Sequence, residues 1–275
     1  MPALHNARVA SRRLRELVPV LQLESGVARK LSRRLRKVTG RLGTVRELDV
    51  LALLIDELHG ARRRGTGALA RVGVQVAQAR DEARKRLLGH LPVAEMSRLA
   101  RKLDRVAGDL RQAEGATSKI TARAWRWAID ARVARRAARL SDAMDEAGSL
   151  YLPERLHAVR VAVKKLRYAV EVATEVAGAR PGADLRVLKR GQEMLGRMHD
   201  LQVLIDHVRQ TQASLTPSSV TVWRDFDALV GSVEDECRRL HARYMRMRDA
   251  LGAVAARHGQ ETPVPTTRAQ TRRTG

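Results

Sequence analysis

The feature of this chain that most limits its fold is an internal repeat. The segment HNARVASRRLRE at residues 5–16 matches HAVRVAVKKLRY at residues 157–168. A second match follows in the same order, between LRKVTGRLGTVRELDVL at residues 35–51 and LKRGQEMLGRMHDLQVL at residues 188–204. Two matches in one order indicate two related halves, each built from the same kind of supersecondary unit.

Both halves have a helical pattern. Their apolar residues recur at the spacing of an α-helix, and no segment alternates in the manner of a strand. Pro19 is expected to end or kink the first helix. Further helices are predicted over about residues 27–58, 68–88, 93–113, 120–147, 153–177 and 184–210, with a last helix ending near residue 258. We therefore predict an all-α protein.

The first repeated segment predicts an amphipathic helix with a cationic face. At about 100° per residue, four side chains share one side of this helix. They are His5, Arg8, Arg12 and Arg15. A solvated face is the simplest interpretation of one such helix. A solvated face has no reason to recur in register, however, so the repeat favours an anion bound by both copies.

The second match divides the basic residues of the next helix into two sets. Three of them keep basic counterparts in the second half: Arg33, Arg36 and Lys37, matched by Arg186, Lys189 and Arg190. Three others do not: Lys30, Arg34 and Arg41 align with Ala183, Val187 and Met194. We predict that the first set contacts a ligand and that the second set is solvated surface.

The overall charge also points to an anionic partner. The chain has 53 Lys and Arg against 30 Asp and Glu, which gives a formal charge of +23. Nucleic acid, an anionic membrane and a phosphate polymer are the partners that such a charge implies. The longest apolar run, VLALLI at residues 50–55, is too short to span a bilayer. Without a signal-like segment, and with Cys237 as the single cysteine, we expect a cytoplasmic protein.

The four linked motifs resemble the CHAD domain, the conserved histidine α-helical domain, which binds inorganic polyphosphate. The resemblance covers about residues 4–257. It implies two pseudo-symmetric antiparallel helical bundles around a basic central cavity, with the first half at residues 1–118 and the second at 119–258. A disordered basic tail is predicted at residues 259–275.

The resemblance and the repeat together predict a polyphosphate site with residues from both halves. In the first half these are His5, Arg8, Arg12, Arg13, Arg15, Arg33, Arg36, Lys37 and Arg46. In the second half they are His157, Arg160, Lys164, Lys165, Arg167, Arg186, Lys189, Arg190 and His199. Guanidinium groups suit this ligand because each can bind two phosphate oxygens.

The chain departs from the family pattern in two ways. The family usually shows Arg-Asp where this chain has Arg46-Glu47 and His199-Asp200. The first half also lacks a counterpart of the helix that precedes His157. Either the true start lies upstream, or the apolar face that includes Leu14 is covered by another part of the fold or by a second copy in a homodimer.

The histidines are expected to be neutral beside the arginines until phosphate favours their cationic form. Binding should then tighten as the pH falls from about 8 toward 6, near the ordinary histidine pKa. No carboxylate pair or second ligand stands at metal spacing from His5 or His157, so we expect neither catalysis, a metal nor another cofactor.

Two other classes of function are weighed against polyphosphate binding. A non-specific nucleic-acid-binding protein is the alternative, but aromatic residues are only 3% of the chain, too few for a base-stacking surface. Trp125, Trp127 and Trp223 fall at core spacings and are predicted to be buried. CHAD relatives are often fused to a triphosphate-tunnel hydrolase with a Glu-x-Glu-x-Lys strand. Here the nearest string, from Glu234 to Arg238, has a helical pattern, so we expect no enzymatic activity.

Overall fold

The computed structural model describes residues 2–21, 23–61, 66–89, 93–114, 119–215 and 220–259. Throughout these ranges the chain is all-α, which confirms the predicted class. The helices are α1 (Pro2–Leu17), α2 (Ser25–Ala61), α3 (Thr66–Gly89), α4 (Val93–Glu114), α5 (Lys119–Ala147), α6 (Pro153–Val176), α7 (Ala183–Ala213) and α8 (Val220–Gly259). Their ends lie within about three residues of the predicted ones. The predicted disordered tail lies outside the described residues beyond Gly259.

Local sequence signals set several of these ends. Pro19 stands in a 3₁₀ turn, Val18–Val20, directly after α1, because proline has no N–H to continue an α-helix. Pro153 begins α6, where a missing N–H costs nothing. Gly148 and Gly178 follow the ends of α5 and α6 with φ of 60° and 64°, the left-handed conformation that glycine adopts readily.

Helices α5 to α8 form a closed four-helix arrangement. α5 contacts α6 and α8, and α7 contacts the same two helices. The short connections at Gly148 and Gly178 make α5, α6 and α7 successively antiparallel neighbours. This arrangement gives the cationic helix α6 two packed neighbours and leaves its remaining side for α1, which also contacts it.

The first half is organised around α2. This helix has 37 residues and is therefore about 55 Å long. It contacts α1, α3, α4 and α7, while α3 also packs on α7 and α8. One hydrophobic core results, to which both repeats contribute buried side chains such as Leu51, Leu166 and Leu204. The burial of this core fixes α2 against α7, the two helices that carry the second pair of matched motifs.

A second, smaller cluster covers the apolar face of α1. Val18, Leu31, Leu35 and Leu99 are buried together, and Leu14 packs against them. Leu99 belongs to α4. The same chain therefore supplies cover for this face, which is one of the alternatives that the sequence left open.

The prediction that the three tryptophans are buried is wrong for Trp127 and Trp223, and Trp125 is only half-buried. Trp127 is 47% exposed and Trp223 is 38% exposed. Periodicity identifies one face of a helix, but it does not show whether that face meets a neighbour along its whole length. Within the described ranges, no helix has the length and apolar character needed to cross a bilayer.

Candidate anion-binding site

Four helices from both halves of the chain surround one pocket of about 460 Å³. The pocket is lined by Val9 and Arg12 from α1, Gly43, Arg46, Glu47 and Val50 from α2, His157 and Arg160 from α6, and His199 and Asp200 from α7. Each helix contributes through one of the four repeated motifs. In particular, Arg46-Glu47 and His199-Asp200 occupy matched positions in the repeat and meet at the same pocket.

Arg160 is the most informative cation in this pocket. Its Nε atom is buried and has no hydrogen-bond partner among the described residues. Burial is the main cause that lowers the pKa of Arg160, and the nearby charge of Arg12 lowers it further, while Asp200 opposes both. Burying a donor without a partner costs stability, so the packing of α6 holds Arg160 in place against this cost.

The pocket also contains two carboxylates, Glu47 and Asp200. In the described part of the chain, neither forms an ion pair with Arg12, Arg46 or Arg160. Burial raises the pKa of Asp200, although the arginines around it act in the opposite direction. The three arginines and two carboxylates thus line one pocket without a direct ion pair between them in the described residues.

His157 and His199 form a pair across the pocket. Their Nδ1 atoms are 3.2 Å apart, and their ring centroids are 4.4 Å apart. One Nδ1 must donate a hydrogen and the other must accept it, so the two rings hold different tautomers. Burial, with Arg160 and Lys164 adding to it, lowers the pKa of His157. Burial and Arg160 lower the pKa of His199 to about 4.

Both shifts favour the neutral imidazole in the free protein. For His157 this agrees in direction with the expectation that neighbouring cations disfavour the imidazolium form, and burial is the larger cause. The pair cannot be doubly protonated without placing two Nδ1–H groups against each other at 3.2 Å. An anion placed between His199, His157 and Arg160 would favour the charged form of one ring, because opposite charge raises the pKa of a base.

The CHAD domain family model matches residues 2–209. The chain belongs to the CHAD domain family. The matched range ends within α7, earlier than the range that the motifs alone suggested. Helix α8 lies beyond the match but closes the four-helix arrangement of this CHAD protein. No curated protein matches the chain in sequence.

Five predicted ligand residues of the CHAD repeat therefore come together at the pocket: Arg12, Arg46, His157, Arg160 and His199. Two others lie close to these residues. Arg15 is near enough to Arg12 and Arg36 for their charges to lower its pKa, after burial as the main cause. The charge of Lys164 likewise lowers the pKa of both pocket histidines. The predicted cationic face thus extends beyond the pocket itself.

Other predicted ligand residues have different surroundings. Arg13 forms an ion pair with Glu175. Arg167 donates to Glu171 at 2.6 Å and to Gln192 at 2.8 Å. Five are exposed and do not line the pocket: Arg33, Lys37, Arg186, Lys189 and Arg190. His5 and Arg8 belong to α1, but their side chains lie outside the described part of the structure.

A buried carboxylate that the sequence did not single out fixes α1 in place. Glu16 accepts hydrogen bonds from Arg132 Nε at 3.0 Å and from Arg136 Nη2 at 2.9 Å, both on α5. Arg132 also donates to the main-chain oxygen of Arg15 at 3.3 Å. These contacts position the end of α1 and therefore the adjacent Arg12 and Arg15. The repeat gave no signal here, because Glu16 aligns with Tyr168.

A metal site is not formed by the residues whose side chains the structure describes. Among these described side chains, no group of three or more histidine, cysteine, aspartate or glutamate residues is placed to hold an ion. His157, His199, Glu47 and Asp200 share the pocket without forming such a group. The donors of the pocket are therefore guanidinium and imidazole groups, which suit oxyanions.

Proposed function

We propose that this CHAD protein binds inorganic polyphosphate, with the phosphate oxygens held by arginines of both repeats. The CHAD family is linked to polyphosphate binding. A linear polyphosphate carries about one negative charge on each unit, so cations arranged along a path suit it better than a single strong site. The pocket supplies three arginines on three different helices, and Arg15, Arg36 and Lys164 continue the cationic surface.

The observation that carries this proposal is the meeting of Arg12, Arg46 and Arg160, from three helices, at one pocket. A phosphate group in this pocket would accept hydrogen bonds from guanidinium groups of all three helices. Bonds between a guanidinium and phosphate are charge-assisted and have a forked geometry. Burial of the site strengthens these bonds, because the local dielectric constant is lower than that of water.

The test replaces Arg12→Gln together with Arg160→Gln and measures the affinity for long-chain polyphosphate. Hydrogen bonds to charged groups contribute about 1.5 kcal/mol or more each, so losing two should weaken binding by roughly a hundredfold. The thermal stability should stay the same or rise, since Arg160 loses a buried charge without losing a described partner.

The matched control is Arg243→Gln together with Arg246→Gln. Both residues are exposed on α8 and line none of the described pockets near α1 and α6. The control removes the same two charges and should reduce affinity only slightly. Equal losses in the two double variants would show that net charge, and not the pocket, determines binding.

Non-specific binding of nucleic acid is the second candidate, and the formal charge of +23 favours it. A pocket of about 460 Å³ between four helices is too small for a duplex. We therefore expect long-chain polyphosphate to displace duplex DNA and single-stranded RNA from the protein over a range of salt concentrations. Equal affinity for polyphosphate and DNA at moderate salt would favour the nucleic-acid function instead.

We further infer that the protein binds polyphosphate without cleaving it and acts in the cytoplasm, where polyphosphate granules are the expected location. CHAD domains are generally binding domains. Incubation with long-chain polyphosphate and magnesium should release no orthophosphate above the background. A time-dependent release that Arg160→Gln abolishes would contradict this inference.

A further inference from the structure

A second basic depression lies in the groove between α5 and α6. It has a volume of about 310 Å³ and is lined by Arg136, Arg139 and Lys165 around an apolar floor of Ala143, Ala158, Val161 and Ala162. Arg136 and Arg139 belong to α5, the helix for which the first repeat has no counterpart. The repeat therefore gave no reason to include α5 in the ligand site.

The cations of this groove are only partly neutralised. Arg136 forms an ion pair with Glu16, which also pairs with Arg132, so two arginines share one carboxylate. Arg139 and Lys165 form no ion pair with any carboxylate in the described part of the chain. Burial lowers the pKa of Lys165, and the charges of Arg136 and Arg139 lower it further. The groove thus holds excess positive charge beside an uncharged floor.

Helix α6 separates this groove from the pocket. His157 and Arg160 line the pocket. Val161 and Lys165 line the groove instead, roughly a third of a turn away around α6, so Lys165 does not belong to the pocket as the repeat predicted. The two depressions therefore lie on different faces of α6.

The end of α1 lies beside α5, because Glu16 binds Arg132 and Arg136 and the main-chain oxygen of Arg15 accepts a hydrogen bond from Arg132. In addition to burial, the charge of Arg12 lowers the pKa of Arg160 in the pocket, and the charges of Arg12 and Arg136 lower the pKa of Arg15. The charge of Arg15 in turn lowers the pKa of Lys165 in the groove. Consecutive cations therefore follow one another from the pocket over the end of α1 to α5.

We propose that a long polyphosphate chain continues from the pocket across the end of α1 into the α5–α6 groove, where Arg139 and Lys165 bind it. This inference rests on the proposed function, because it assigns a longer path to the same ligand. It makes the groove a determinant of chain length: long chains use both depressions, and short chains use the pocket alone.

The experiment compares long-chain polyphosphate with tripolyphosphate as ligands of the full chain. The variant is Arg139→Gln with Lys165→Gln, and the charge-matched control is again Arg243→Gln with Arg246→Gln. The variant should bind long chains several-fold more weakly and tripolyphosphate with unchanged affinity. Its slope of log affinity against log salt for long chains should be smaller by about 1.4, at about 0.7 for each lost phosphate contact on a single-stranded polyanion.

Other results would overturn the inference in distinguishable ways. If the variant and the control lose the same affinity for long chains, the groove is not part of the path. If the variant loses affinity for tripolyphosphate as well, Arg139 and Lys165 act on the pocket and do not extend it. If the unmodified protein binds neither ligand, the proposed function itself fails, and the longer path fails with it. Circular dichroism melting confirms that each variant is folded before binding is measured.

Discussion

Replacing Glu16→Gln tests how strongly the structure holds α1 against the rest of the protein. The substitution keeps the shape of the side chain but removes the charge that binds Arg132 and Arg136. The side chain of Glu16 is 8% exposed, and those of Arg132 and Arg136 are 17% and 13% exposed. The two guanidinium groups would stay largely buried after the carboxylate is lost.

The expected cost follows from this burial. Removing one partner of a buried ion pair costs about 3–5 kcal/mol, because the remaining charge is left uncompensated. Arg132 keeps its bond to the main-chain oxygen of Arg15, so we expect a loss near the lower limit, about 3 kcal/mol. For a chain of this size, such a loss lowers the melting temperature by roughly 6–12 °C.

The assay is thermal and urea unfolding followed by circular dichroism at neutral pH. The control is Glu175→Gln, which breaks an ion pair between α6 and Arg13 of the same helix α1. Those two side chains are 66% and 40% exposed, so the control should cost less than about 1 kcal/mol. Adding Arg136→Met to Glu16→Gln should recover part of the loss, since it removes one uncompensated charge. The reasoning is refuted if Glu16→Gln is no more destabilising than Glu175→Gln.

Two further predictions concern the histidines and the smaller core cluster. The pKa of His199 is about 4 in the folded protein and about 6.5 in the unfolded chain, so the unfolded state binds more protons and stability falls as the pH drops from 6.5 toward 4. His199→Gln should lessen this fall in stability, as measured by urea titrations at several pH values. Polyphosphate should bind more tightly over the same acidic range, which lies below the window of pH 8 to 6 expected from the sequence. A polyphosphate affinity that stays constant below pH 6.5 would contradict this. Leu35→Ala should lower the free energy of unfolding in urea by about 2–5 kcal/mol, because Leu35 is 1% exposed. The affinity for polyphosphate should stay unchanged. A parallel loss of affinity would show that this cluster shapes the pocket.

The helices could be predicted because their ends depend on local chemistry. Pro19 and Pro153 act through a missing N–H, and Gly148 and Gly178 act through a conformation that other residues rarely adopt. Neither effect requires knowledge of a distant residue. The convergence of Arg46 and His199 on one pocket could also be anticipated, since matched residues of a repeat occupy equivalent faces of their helices.

Ion pairs chosen by tertiary packing could not be predicted in this way. Arg13 belongs to the repeated cationic segment, yet it contacts Glu175 from a distant part of the sequence. The bonds of Glu16 to Arg132 and Arg136 are equally distant. Arg167 differs, because its partner Glu171 stands at i+4 and the sequence contains that signal. The repeat identifies positions that share a role, but it does not show which cations are already neutralised.

The pocket is built from four separated segments, so it exists only in the folded protein. A ligand that binds only the folded state raises the free energy of unfolding by about 2.7 kcal/mol at a hundred times its dissociation constant. Polyphosphate departs from this rule here, because the formal charge of +23 remains on the denatured chain. The denatured chain attracts the same polyanion, which reduces the gain in stability. The shift in melting temperature at low salt will therefore understate the affinity of the native site. Added salt screens the denatured chain, so it will bring the affinity inferred from melting closer to the affinity measured by direct binding.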